Sequence, residues 1–255
     1  MKAKKIFLVA ILGSLLVGCA SNPSLDPNGS ISNGSIPDDE ALWAAYRASV
    51  RDASTAEPHE VHRQLTAIHA HSPGLVWRGE PGKSELLVVT WTSWNGFDDS
   101  VGQSTTLGRE TWVTVAHQTR DFCRDHEPRT LDAVQLRLEQ LIGLPPEGTR
   151  NRFVQLWIDT DDLFRPCPDP EINDQACGVD YPQSAFSTTD PEYRAWFDQL
   201  TADMYGDDGY PWTRLGYTYD WSKPDGVGLS EFIVRQGATV EVAAVTGNAE
   251  YCGLE

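Results

Sequence analysis

Apolar side chains recur every three or four positions in four segments of the chain, which is the spacing of a helix with one buried face. The four segments are residues 38–51, 57–70, 130–143 and 190–204. Thr130 and Asp190 can cap the last two, and Gly143 followed by Pro145 can end the third. The first two segments therefore predict an N-terminal helical pair, and the last two predict two further amphipathic helices.

Seven other segments carry the β-branched and aromatic composition of strands. They are residues 75–79, 85–93, 110–117, 152–159, 213–221, 230–235 and 239–245. Helical and strand segments do not alternate regularly along the chain. This order predicts an α+β fold with a mainly antiparallel or mixed sheet, and it disfavours a doubly wound parallel sheet.

The N-terminus has a different pattern. Three lysines precede an apolar run at residues 6–17, which is shorter than the roughly 20 residues that span a bilayer and fits the core of a signal peptide. The run ends in the letters LVGC at residues 16–19, which resemble the lipobox of bacterial lipoproteins. The resemblance covers the N-terminus alone.

This resemblance implies export, cleavage after Gly18 and a diacylglycerol thioether on Cys19, so that the mature protein is anchored to a membrane through lipid. In similar lipoproteins of Gram-negative bacteria, an aspartate after the cysteine favours the inner membrane. Ala20 therefore favours the outer membrane, facing the periplasm, in such a host. The sequence divides into a signal peptide at 1–18, a flexible tether at 19–36 and a single α+β domain at 37–255.

Charge limits the partners that we expect. Removal of residues 1–18 takes away three lysines and changes the formal net charge from −17 to −20. A field of this sign repels phosphate, so nucleic acid and anionic lipid surfaces are disfavoured as partners. A protein or glycan partner in the cell envelope remains compatible with it.

Four cysteines remain after Cys19 is assigned to lipid, and an exported chain matures where thiols oxidise. Four cysteines allow three pairings. Proximity favours Cys167–Cys177, which leaves Cys123–Cys252. Zinc binding and thiol redox catalysis are less favoured because the sequence contains no CxxC motif.

Carboxylates cluster around the first of these pairs, at Asp159, Asp161 and Asp162 and again at 169–180. Oxygen-rich loops can hold calcium. However, the cluster lacks the third alternating ligand and the glycine of an EF-hand loop. An acidic surface loop is the preferred interpretation, so we predict no metal site and keep calcium as a weak alternative.

The most suggestive stretch for binding is YPWTRLGYTYDW at 210–221. Aromatic platforms with a few polar anchors can stack on sugar rings or hold a peptide. We select five candidate binding residues: Trp212, Arg214, Tyr217, Asp220 and Trp221. Strand alternation would place Arg214 and Asp220 on one face, where they could pair. Core packing of an aromatic-rich strand is the preferred interpretation of this stretch, and binding is the alternative.

No contiguous catalytic motif is present, because the phosphate-loop spacing and the G-x-S-x-G elbow both fail. The favoured hypothesis is therefore a non-catalytic, lipid-anchored envelope protein that binds a protein or glycan. The alternative is an extracytoplasmic hydrolase or transferase with a non-contiguous site, for which His117, Arg214 and Glu231 are weak catalytic candidates. Their convergence in one pocket would favour the enzyme.

Overall fold

The computed structural model describes residues 38–182, 190–206 and 208–254. The predicted signal peptide, the lipobox with Cys19 and the whole of the tether lie outside these residues. Ile36–Glu255 form one compact unit. In the described part of the chain, no helix has both the length and the apolar character needed to cross a membrane.

Five helices form among the described residues. They are α1 (Asp39–Ala53), α2 (Gln118–Asp125), α3 (Leu131–Leu141), α4 (Pro191–Asp203) and α5 (Asn248–Cys252). The side chains of Asp38, Thr130 and Asp190 each accept a backbone N–H at the start of α1, α3 and α4. Such caps contribute about 1 kcal/mol each. The predictions of these three helices are confirmed, whereas α2 and α5 were not predicted.

The second helix of the predicted N-terminal pair does not form. Pro58–Glu60 make a single 3-10 turn, and the chain then runs without regular secondary structure. The amide of Leu65 donates to the carbonyl of Gln175, and the amide of Ile68 donates to that of Ile172. These long-range bonds use the donors that a helix would need, so the apolar spacing here reflects packing of an extended segment.

Within the described ranges, ten strands build two sheets. The strands are β1 (Trp77–Arg78), β2 (Glu85–Thr92), β3 (Ser104–Thr106), β4 (Thr111–Val115), β5 (Arg152–Ile158), β6 (Leu163–Phe164), β7 (Tyr217–Tyr219), β8 (Val227–Ser230), β9 (Phe232–Val234) and β10 (Thr239–Gly247). The larger sheet has the order β3-β10-β5-β2-β4-β9-β6, with β1 on β2, while β7 and β8 form a separate hairpin. Every pairing between these strands is antiparallel, which confirms the predicted α+β class.

The larger sheet splits between β2 and β4. These strands pair at only two positions, Val88 with Val115 and Val89 with Thr114. Beyond Val89, β2 remains paired with β5 as far as Thr92, whereas β4 pairs with β9. The separation of the two strands opens the sheet at its centre.

One face of the sheet carries α2, α3 and α5. There, Val89, Trp91 and Phe153 pack with helical residues that include Cys123 and Cys252. These two cysteines form a disulfide that joins α2 to α5. The second disulfide, Cys167–Cys177, closes the loop after β6. Both predicted pairings are confirmed.

Candidate functional site

A cleft of about 890 Å³ occupies the split in the sheet. Residues of β2 and β4 line it, together with the segment after α3 and the segment before β7. Its volume lies within the range of ligand pockets, which is roughly 300–1,000 Å³. Aromatic side chains form much of its wall: Trp91, Trp94, Phe97, Trp112, Phe153, Tyr210, Trp212 and Tyr219.

The inner tryptophans are held by specific contacts. Trp91 stacks on Phe153 with ring centroids 5.5 Å apart, and its Nε1 donates to Asn248. Trp112 and Trp212 meet edge to face at 6.1 Å, and the Nε1 of Trp212 donates to the carbonyl of Pro166. These rings therefore present fixed surfaces, as a preformed ligand site requires.

Two other aromatic rings of the cleft are open to solvent. Trp94 is 49% exposed and Tyr210 is 42% exposed. The guanidinium of Arg109 lies 5.6 Å from the Trp94 ring centroid. The cleft thus combines fixed inner rings with accessible aromatic surface.

Thr114 and Glu231 supply adjacent polar atoms in the cleft. In the β4–β9 ladder, Trp112 faces Ile233 and Val113 faces Phe232, and extending this register by one residue beyond its last pair brings Thr114 opposite Glu231. Thr114 is 7% exposed. Its Oγ1 and the Oε2 of Glu231 are both buried, and neither has a hydrogen-bond partner within the described ranges.

Glu231 lies in the one-residue gap between β8 and β9, where its amide donates to the carbonyl of Gly216. Burial raises the pKa of its carboxyl from the usual 4.5 to about 8. The cause is desolvation, because burial removes the water that would stabilise the ionised carboxylate. The side chain is therefore mainly the neutral acid at pH 7.

The remaining charged groups of the cleft lie on Arg109, Glu110 and Arg150. Glu110 accepts a hydrogen bond from the Nε1 of Trp196. Arg150 approaches Glu147 at 3.9 Å, yet its Nη1 is buried and makes no hydrogen bond to any described residue. The cleft thus contains a buried hydroxyl, a buried carboxyl oxygen and a buried guanidinium nitrogen that have no hydrogen-bond partner among the described residues.

The three catalytic candidates do not converge. Only Glu231 lines the cleft. His117 has a left-handed backbone (φ 78°) just before α2, and burial is the main factor that lowers its pKa. Arg214 donates to the carbonyl of Ser54 and lies 5.4 Å from the Tyr205 ring centroid, outside the cleft lining.

The predicted aromatic strip is mostly core. Tyr217 donates its hydroxyl to the carbonyl of Glu60, and the indole of Trp221 donates to that of Leu144. Both rings are buried, as is Trp212. Among the five predicted binding residues, only Trp212 lines the cleft, and the buried aromatic residues among them fit the core-packing interpretation.

The expected pairing of Arg214 with Asp220 is wrong. Asp220 is fully buried, and both of its oxygens accept bonds from Arg137 on α3, at 3.1 and 2.6 Å. The alternation fails because the strand spans only Tyr217–Tyr219. Before it, Arg214 and Gly216 have positive φ values of 59° and 80°. A Cβ at Gly216 would lie 2.5 Å from the Cδ of Arg165, so this turn requires glycine.

The acidic loop is occupied by internal contacts. The carboxylate of Asp174 pairs with the fully buried Arg165, and that of Asp159 accepts the amide of Asp161. Within the described ranges, no group of three or more His, Cys, Asp and Glu residues could hold a metal ion. The loop therefore offers no support for the calcium alternative.

The fold and cleft define an α+β protein with a split antiparallel sheet and a ligand-sized aromatic cleft at its centre. No protein-family model, no curated protein and no solved structure matches this chain.

Proposed function

We propose that this protein is a lipid-anchored lipoprotein of the cell envelope that binds a glycan, without cleaving it, in the aromatic cleft. The binding half of the proposal rests on one observation. The cleft combines tryptophan faces with buried polar atoms that have no partner among the described residues. A saccharide has the complementary surface, because its ring carries both apolar C–H faces and a rim of hydroxyl groups.

A glycan fits this site better than a protein surface does. Trp91 and Trp212 are buried, and the orphan oxygens of Thr114 and Glu231 are out of solvent contact. A broad, flat partner cannot reach these groups, whereas one or a few sugar units can enter a cleft of about 890 Å³. The strong negative charge of the chain also favours a neutral glycan over an acidic one.

The binding test uses the mature lipidated protein in detergent and a panel of neutral di- and trisaccharides built from glucose, galactose, mannose and N-acetylglucosamine. We expect at least one to change the tryptophan fluorescence saturably. Trp112→Ala should weaken that binding at least ~10-fold, as expected for an aromatic anchor. Trp43→Ala, on α1 and outside the cleft lining, is the matched control. Absence of any saturable binding would overturn the proposal.

The anchoring half rests on the LVGC sequence at 16–19. We expect the full chain, expressed in a Gram-negative host, to incorporate labelled palmitate and to fractionate with the outer membrane. Cys19→Ser should abolish the label and leave the product uncleaved. Labelling that persists in Cys19→Ser would contradict the assignment.

Glu231 favours one alternative function. A carboxyl with a raised pKa in a cleft resembles a general acid, as in a glycoside hydrolase. Such enzymes usually need a second carboxylate within about 10 Å. Of the described cleft residues, Glu110 alone provides one. Its carboxylate already accepts the indole N–H of Trp196, so it is engaged within the protein.

The engagement of Glu110 by Trp196 supports binding over hydrolysis. Incubation of the mature protein with the bound saccharide, followed by chromatography of the products, tests the alternative directly. Release of shorter sugars that is lost in Glu231→Gln would establish a hydrolase and overturn the non-catalytic assignment.

A further inference from the structure

We propose that Thr114 and Glu231 act as one anchor in the cleft, which binds two neighbouring hydroxyl groups of a neutral sugar ring packed against Trp112. This inference rests on the proposed glycan binding and names the groups that select the ligand. Four observations carry it: the register of the two strands, the unsatisfied oxygens, the saturation of the Thr218 hydroxyl, and the position of Trp112.

The strand register places the two side chains on one face. Trp112 and Ile233 are directly opposed in the β4–β9 ladder and pack in the same cluster. Thr114 and Glu231 are two residues away from them, one on each chain segment, so their side chains point to the same side. Directly opposed residues have Cβ atoms about 4.5–5.5 Å apart, a span that two neighbouring ring hydroxyls can bridge.

Both residues carry a buried oxygen that the described part of the protein leaves unsatisfied: Oγ1 of Thr114 and Oε2 of Glu231. Buried polar atoms are normally hydrogen-bonded, and two adjacent exceptions at the surface of a cleft indicate a ligand that completes them. The arrangement costs stability when the cleft holds no ligand, which is typical of a binding site.

One hydroxyl of the cleft lining, that of Thr218, is already used inside the protein. Thr218 donates its Oγ1 proton to the carbonyl of Leu141 and accepts the amide of Leu229. The side chain of Thr218 also lies against Gly228, where an added Cβ would be 2.2 Å from the Thr218 Oγ1. The position of Thr218 is therefore fixed by its own bonds, and its hydroxyl does not supply the missing partners of Thr114 and Glu231.

The chemistry of the pair favours hydroxyl groups. Burial raises the pKa of Glu231 to about 8, with no cation contributing to the shift. A neutral carboxyl both donates and accepts hydrogen bonds, as the threonine hydroxyl does. Two such groups side by side match two sugar hydroxyls. Trp112, two residues before Thr114 on the same face, supplies a ring for the apolar side of the sugar.

The test measures the affinity of three variants for the tightest-binding neutral saccharide of the panel, by calorimetry on the mature protein. We expect Thr114→Val to weaken binding about 5–10-fold, the loss of one hydrogen bond. Glu231→Ala should weaken it at least ~10-fold, whereas Glu231→Gln should stay within about threefold, because the amide also donates and accepts. Thr239→Val and Glu250→Gln, outside the cleft lining, are the matched controls.

A second measurement separates binding from a structural role. Thr114→Val removes an unsatisfied buried hydroxyl, so we expect the Tm without saccharide to rise by about 2–4 °C. A lower Tm would show that the hydroxyl supports the fold, and unchanged affinity would show that it does not contact the ligand; either result overturns the anchor.

If wild type binds saccharide while all three variants bind equally well, the anchor fails and the proposed function stands. If wild type binds none, both fail.

Discussion

Glu231 links a single side chain to the pH dependence of the whole domain. Its carboxyl holds a proton more tightly in the folded chain, where the pKa is about 8, than in the unfolded chain, where it is near its usual 4.5. The stability associated with the buried acid is therefore complete below pH ~4.5 and is lost as the pH rises toward 8.

We expect the unfolding free energy of wild type to fall relative to that of Glu231→Gln between pH 5 and pH 8. The difference should approach about 1 kcal/mol per pH unit, because glutamine cannot ionise. Urea unfolding of both proteins at pH 5, 6.5 and 8 measures it. Glu139, whose pKa burial raises to about 7, is present in both and cancels from the comparison. Parallel pH profiles would show that Glu231 does not retain a proton.

At the scale of elements, the Arg137–Asp220 pair connects α3 to the segment after β7. Asp220 is fully buried and also accepts the amide and hydroxyl of Ser222. Removal of the Asp220 carboxylate leaves the guanidinium of Arg137 without its partner. We therefore expect Asp220→Ala to lower the unfolding free energy by about 3–5 kcal/mol. Urea denaturation with a constant m-value measures this loss.

An exposed ion pair provides the control. Arg78 and Glu85 pair across β1 and β2 at 2.6 Å, with both side chains more than a third exposed. Glu85→Ala should cost less than about 1 kcal/mol, because solvent screens the attraction. Equal losses from Asp220→Ala and Glu85→Ala would contradict the importance of burial at Asp220.

The same elements show what local sequence can and cannot predict. The start residues of α3 and α4 are recognisable because Thr130 and Asp190 satisfy backbone donors a few positions away. The extended course of 57–70 is not recognisable, since it depends on bonds to the carbonyls of Ile172 and Gln175, far along the chain.

The candidate site was predictable only in part, for the same reason. Glu231 could be proposed from its residue type, but Thr114 carries no signal of its own, because its role depends on strand register. Strand alternation would place Arg214 and Asp220 on one face, but the positive φ values at Arg214 and Gly216 interrupt the strand. Each error arose where a non-local contact or a turn overrode a local period.

For the whole molecule, the two disulfides determine how firmly distant segments stay together. Cys123–Cys252 spans 129 positions, and Cys167–Cys177 lies inside that interval. We expect the mature protein to have no free thiol and to gain the mass of four hydrogens on full reduction, measured by intact mass spectrometry. The Cys123→Ser/Cys252→Ser variant should lose about 2–5 kcal/mol of unfolding free energy. A free thiol at any of these four cysteines in the unreduced protein would contradict the pairing that contains it.

The longer disulfide also governs what a protease can release. The interval from Cys123 to Cys252 contains β5–β10 and the cleft residues from Ile142 onward. A single cut anywhere inside it leaves both fragments covalently joined, so a nicked molecule migrates as one band until a reductant is added. A single proteolytic cut between Cys123 and Cys252 therefore sheds neither fragment, and both stay attached to whatever holds the N-terminus.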